Sequence, residues 1–169
     1  MVYISSKIHP FILAFFLIFA TTVYAAETDS LKHLLIDLNN WDAEKPEDMS
    51  MDMGEMKMTS ATRNYTQDKK EITTMIMIGT NAMTQGHMQQ MNVESEEAKV
   101  SVATIDGFQT HTSYDKKENS GALIVFLSNS KTQGAMFMFS FKGISEKDAL
   151  SLSKKFNWEK MKASVEKLF

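Results

Sequence analysis

Five thioethers within ten residues, Met49, Met51, Met53, Met56 and Met58, are the sharpest candidates for chemistry in this chain. Thioethers are soft, neutral ligands suited to Cu(I) and its analogue Ag(I), and they need no deprotonation to bind. On an extended chain Met49, Met51 and Met53 project to one side about 7 Å apart, a gap that flexible side chains can close around one ion. His87, Met88 and Met91 would add a histidine nitrogen and two further sulfurs. Copper or silver is the cofactor of that reading.

Two other readings use the same residues. Met75 and Met77 alternate with isoleucines, and Met136 and Met138 with phenylalanines, so methionine serves this chain generally as an adaptable apolar residue. The run is then a packed or partly exposed apolar strand. An exposed run would instead receive a protein or apolar ligand: a hydrophobic peptide, a lipid or another subunit.

Other chemistry finds little support. His33, His87 and His111 are far apart and show no His-Glu-x-x-His spacing, and His33 and His111 read as surface histidines. There is no Gly-x-Ser-x-Gly elbow, no cysteine and no glycine-rich phosphate loop. Asp106 precedes glycine, which is turn chemistry, and Glu94, Glu96 and Glu97 read as a solvated loop. No catalytic residue is assigned. An enzyme would have to bring together groups such as Asp106, His111 and Arg63.

The elements that position these groups follow from periodicity. Leu31, Leu34, Leu35 and Leu38 predict a helix over 29–38, followed by Trp41 and a charged loop over 42–48. Residues 56–65 and 71–78 predict a hairpin turning at 67–70. The second strand, apolar on both faces at Met75 to Ile78, is expected at the centre of a sheet covered above and below. The stretch 79–93 reads as an interrupted helix or a long loop. Further strands are predicted over 99–104, 108–114, 122–127 and 135–141, with an Ile105-Asp106-Gly107 turn. Ser145 and Asp148 form a capping box for a helix, and Asn157 interrupts it and caps another containing Trp158, Met161, Val165 and Leu168. The predicted fold is α+β: an antiparallel sheet of about five to six strands with an N-terminal helix and C-terminal helices packed on it.

Met1 to Ala26 has the pattern of a secretory signal: Lys7, an apolar run from Phe11 to Ala20, then small residues with a cleavage site near Ala25. The run of ten is too short to anchor stably in a bilayer, which takes about twenty. The expectation is a cleaved signal over 1–25 and one domain over 26–169, periplasmic or secreted. Without cysteine the domain must rely on its core. Loss of Lys7 takes the net charge from −3 to −4, and with one arginine and scattered lysines this excludes a nucleic-acid footprint. An acidic chain is equally unsuited to an anionic membrane surface.

Trp41, the Arg63-Asn64-Tyr65 triplet, the Ile105-Asp106-Gly107 turn and Trp158 resemble a set of uncharacterised exported bacterial proteins whose architecture is similar to the PsbP-like sandwich. The resemblance implies helices around an antiparallel sheet and no functional residue. The sequence thus leads to a non-enzymatic binding or accessory protein, with a periplasmic Cu(I) or Ag(I) binder as the alternative.

Overall fold

The computed structural model describes residues 31–54, 56–80, 92–129 and 133–168. Its frame is one nine-stranded antiparallel sheet. The strands are β1 (Asp42–Ala43), β2 (Glu47–Met53), β3 (Met56–Gln67), β4 (Lys70–Thr80), β5 (Val93–Glu94), β6 (Ala98–Ile105), β7 (Phe108–Asp115), β8 (Ser120–Asn129) and β9 (Gln133–Lys142). Two short helices follow, α1 (Glu146–Ser153) and α2 (Trp158–Val165). Across the sheet the order is β1, β3, β4, β9, β8, β7, β6, β5. β2 lies on the same edge of β3 as β1, pairing with Met56 to Thr62 while β1 pairs with Tyr65 and Thr66.

β4 is central, between β3 and β9, as its two apolar faces require. On one face Ile72, Ile76, Phe137, Phe139, Leu123 and Val125 are buried. Phe156 and Trp158 come down on this face, Phe156 edge-on to Tyr65 and Phe139, and Trp158 edge-on to Phe108. Both helix starts are fixed locally. The Ser145 side chain accepts from the Asp148 N–H, and Asn157, left-handed at φ 46°, accepts from the Lys160 N–H. Asp106 and Gly107, at φ 51° and 86°, form the two-residue β6–β7 turn, with Ile105 opposite Phe108.

The predicted α+β architecture is corrected in two respects. Among the described residues the structure is mostly β, with nine strands rather than five or six, and the N-terminal helix expected to reach Leu38 does not continue beyond Lys32. Among the described residues of this stretch Leu31 and Lys32 are helical, and the chain then turns and runs irregularly to Leu38. The leucines are buried as their spacing demands, at 0, 6, 2 and 3 % exposure for Leu31, Leu34, Leu35 and Leu38. Their backbone does not continue the helix because β3 takes its acceptors. Arg63 Nη1 donates to the Leu35 carbonyl at 2.6 Å, and the Tyr65 hydroxyl donates to the Ile36 carbonyl at 2.8 Å. Burial raises the Tyr65 pKa above its ordinary value, so the phenol remains a donor. Part of the charged stretch predicted as loop, 42–48, is instead edge strand, as β1 and the start of β2. The segments predicted as signal, 1–25, and most of 79–93 lie outside the described residues. Among the described residues, no helix is long and apolar enough to cross a membrane.

Candidate functional site

The methionine run is built into a second hairpin that precedes the predicted one. After Glu47, residues 48–53 read Asp-Met-Ser-Met-Asp-Met, a strict alternation, and pairing with β3 sends the two sets of side chains to opposite faces. Gly54, at φ +74°, supplies the turn, and its N–H is held by the Asp52 carboxylate at 3.1 Å. The register then places Met49 opposite Ser60, Met51 opposite Met58, and Met53 opposite the position of Met56. Opposed residues share a face, with β-carbons about 4.5–5.5 Å apart.

That face continues across the sheet. Ser60 opposes Met77, which opposes Met136; Thr62 opposes Met75, which opposes Met138. The methionines that alternate with isoleucine and phenylalanine therefore occupy the side away from α1 and α2. Met136 is buried and Met75, Met77 and Met138 are half-buried. Exposure rises toward the hairpin, to 51 % at Met49, 37 % at Met51 and 55 % at Met53, and every residue of β2 is exposed. Of the two forms expected of an apolar run, packed or partly exposed, these three residues take the exposed one. Met58 is half-buried and borders a cleft of about 200 Å³ shared with Lys57, Thr59, Ile78, Gly79, Gln133 and Leu168.

The opposite face of the hairpin holds Asp48 and Asp52, and each has a partner. Asp48 pairs with Lys32 at 2.7 Å and Asp52 with Lys57 at 3.2 Å, while the Ser50 and Thr59 hydroxyls meet at 3.3 Å. From Asp48 to Met53 alternation therefore sorts β2 into a thioether side and a charged, hydroxylated side, while Glu47, opposite Thr62, falls on the thioether side at the start of the strand. His87, Met88 and Met91 lie outside the described residues. Among the described residues, no three His, Asp or Glu side chains gather as metal ligands.

The other groups considered for chemistry are separated. Arg63, on β3, faces the helices, with Nε donating to the Glu44 carbonyl at 2.8 Å and Nη2 paired with Asp37. His111, on β7 and four strands away, is roughly 19 Å distant at ~4.8 Å per strand and points to the other face. Asp106 makes the β6–β7 turn and pairs with Lys154 at 2.8 Å. The reading of His111 as a surface residue is corrected. It is 8 % exposed, set edge-on to Phe126 at 5.0 Å, with burial lowering its pKa. Its row of neighbours, Ile124 and Val102, is a matter of register and could not be read from β7 alone.

The residues that carry the resemblance are engaged in holding the fold. Trp41 packs against the core, Arg63 and Tyr65 fasten the 31–38 segment, and Trp158 Nε1 donates to the Ser153 carbonyl at 3.0 Å. No family model, curated protein or solved structure matches the chain.

Proposed function

We propose that this is an exported, non-enzymatic binding or accessory protein whose working surface is the thioether side of the β2–β3 hairpin. The observation that carries the reading is the exposure of Met49, Met51 and Met53 on one side of a fully exposed edge strand. Three large apolar side chains held in water at the rim of a sheet contribute little to the core. They form an adaptable contact surface instead. The secretory pattern of Met1 to Ala26 supports placement outside the cytoplasm.

The test combines stability with methyl NMR. Replacing Met49, Met51 and Met53 together by serine should leave the melting temperature nearly unchanged, since little buried area is lost. With the methionine methyls labelled, the wild type is titrated with an apolar dye, a leucine-rich peptide and silver(I). At least one probe should shift the hairpin methyls while leaving Met136 in place, and the serine variant should lose that response. A large drop in melting temperature for the serine variant, or no hairpin response to any probe, would overturn the reading.

A further inference from the structure

We propose that the hairpin binds a soft monovalent d¹⁰ metal ion, Cu(I) or Ag(I), through the thioethers of Met49, Met51, Met53 and Met58. This rests on the reading of the hairpin as the working surface and names its ligand. Met51 and Met58 are direct cross-strand partners, so their β-carbons stand about 4.5–5.5 Å apart. Met49 and Met53 flank Met51 on the same side at about 7 Å. The methionine side chain has three rotatable bonds, enough for sulfurs starting from such positions to meet at one ion. A central Met51–Met58 pair with a third sulfur from either flank gives an all-thioether site of the kind Cu(I) accepts.

The two faces of the hairpin make the site selective. A soft ion is favoured only where hard ligands do not crowd it, and here strand alternation removes the two acids that interleave with the methionines. Asp48 and Asp52 project to the far side, where Lys32 and Lys57 engage them. Beside the sulfurs the thioether side carries the hydroxyl of Ser60, a residue 2 % exposed; Glu47 and its partner Thr62 share this side only at the end of the strand away from the turn. Neutral sulfurs give Ca²⁺ and Mg²⁺ nothing to bind and Zn²⁺ little. They also keep their affinity at mildly acid pH, because no proton has to leave. The ordering needed is already present: β2 is hydrogen-bonded to β3, β3 to β4, and the turn is closed by Asp52 and Gly54.

The experiment uses silver(I) nitrate in chloride-free buffer, with Cu(I) under competition from a chromogenic chelator as the second probe. Silver should shift the methyl signals of Met49, Met51, Met53 and Met58, bind saturably, and raise the melting temperature by mass action. Zinc should do none of these. The double variant Met51→Leu, Met58→Leu keeps the apolar surface and removes the central sulfurs. It should keep the melting temperature of the metal-free protein and lose both the silver shift and Cu(I) competition. Unchanged silver binding in that variant, or silver shifts confined to Met75, Met77, Met136 and Met138, would overturn the metal site. If the apolar probes still move the hairpin methyls in that case, only the metal inference fails. If nothing moves them, the functional reading falls with it.

Discussion

A histidine on an open-looking strand face can be tied to stability more firmly than to function, and His111 is such a case. It is 8 % exposed, with the Phe126 ring at 5.0 Å and the Gln109 amide at 3.4 Å from Nε2. Burial disfavours the imidazolium, so its folded pKa lies below the ordinary value of about 6.5. Above that ordinary value both folded and unfolded chains hold it neutral, and it contributes no pH dependence. As pH falls through that value the unfolded chain takes the proton first, so stability drops, and the drop levels off below the folded pKa. The melting temperature of wild type should therefore fall more steeply between about pH 7.5 and about pH 5 than that of His111→Gln. Parallel slopes would show that protonation of His111 is not coupled to unfolding. What the sequence offered at this scale was the pleat: alternation put His111 opposite Phe108, whereas burial came from strands paired across the sheet.

At the scale of elements, local instructions were read well and borrowed ones were not. Ser145 and Asn157 cap their helices with their own side chains, so residues within four positions of each other determine where α1 and α2 begin. The 31–38 segment has helical leucine spacing, but its conformation is decided by β3, nearly thirty residues away, through Arg63 and Tyr65. The methionine run reads as extended, but β2 as a strand of its own, turned back on β3 at Gly54, is hard to see for the converse reason. Its seven residues contain no β-branched or aromatic side chain, so only the alternation pointed to a strand. Arg63 gives this claim a measurable form. Its partner Asp37 is 83 % exposed at the side chain, so solvent screens the ion pair, and Asp37→Ala should cost under about 1 kcal/mol. The bonds to the Leu35 and Glu44 carbonyls come from a guanidinium that is itself only 13 % exposed. Arg63→Ala should cost about 2–4 kcal/mol, as charge-assisted bonds to the backbone are lost. Urea denaturation of the two variants should separate them; equal losses would mean that the surface ion pair, and not the carbonyl bonds, fastens the segment.

For the whole molecule, the division of labour between the two faces of the sheet decides where stability resides and where a site can be built. Adjacent residues of β9 compare the faces directly, because β9 is central, flanked by β4 and β8. Phe139 points toward the helices, fully buried, within 6.1 Å of the Phe156 ring; Met138 points the other way and is half-buried, opposite Met75 and Ile124. Strand alternation made this segregation legible along each strand, but the sequence did not show that β2 continues the methionine face to an exposed edge. That depends on the Met51–Met58 register, which the turn at Gly54 sets. Truncating Phe139 to alanine opens a cavity that the helices cannot fill and should cost about 3–5 kcal/mol. Met138→Ala removes a flexible side chain already partly in water and should cost about 1–2 kcal/mol. The comparison is by urea unfolding with equal denaturant dependence in both variants. A Met138 cost as large as that of Phe139 would mean that the methionine face is as tightly packed as the aromatic one. A thioether surface softening toward the β2 edge requires the opposite: a rigid aromatic side carrying the fold, which leaves the methionine side free to yield to a ligand.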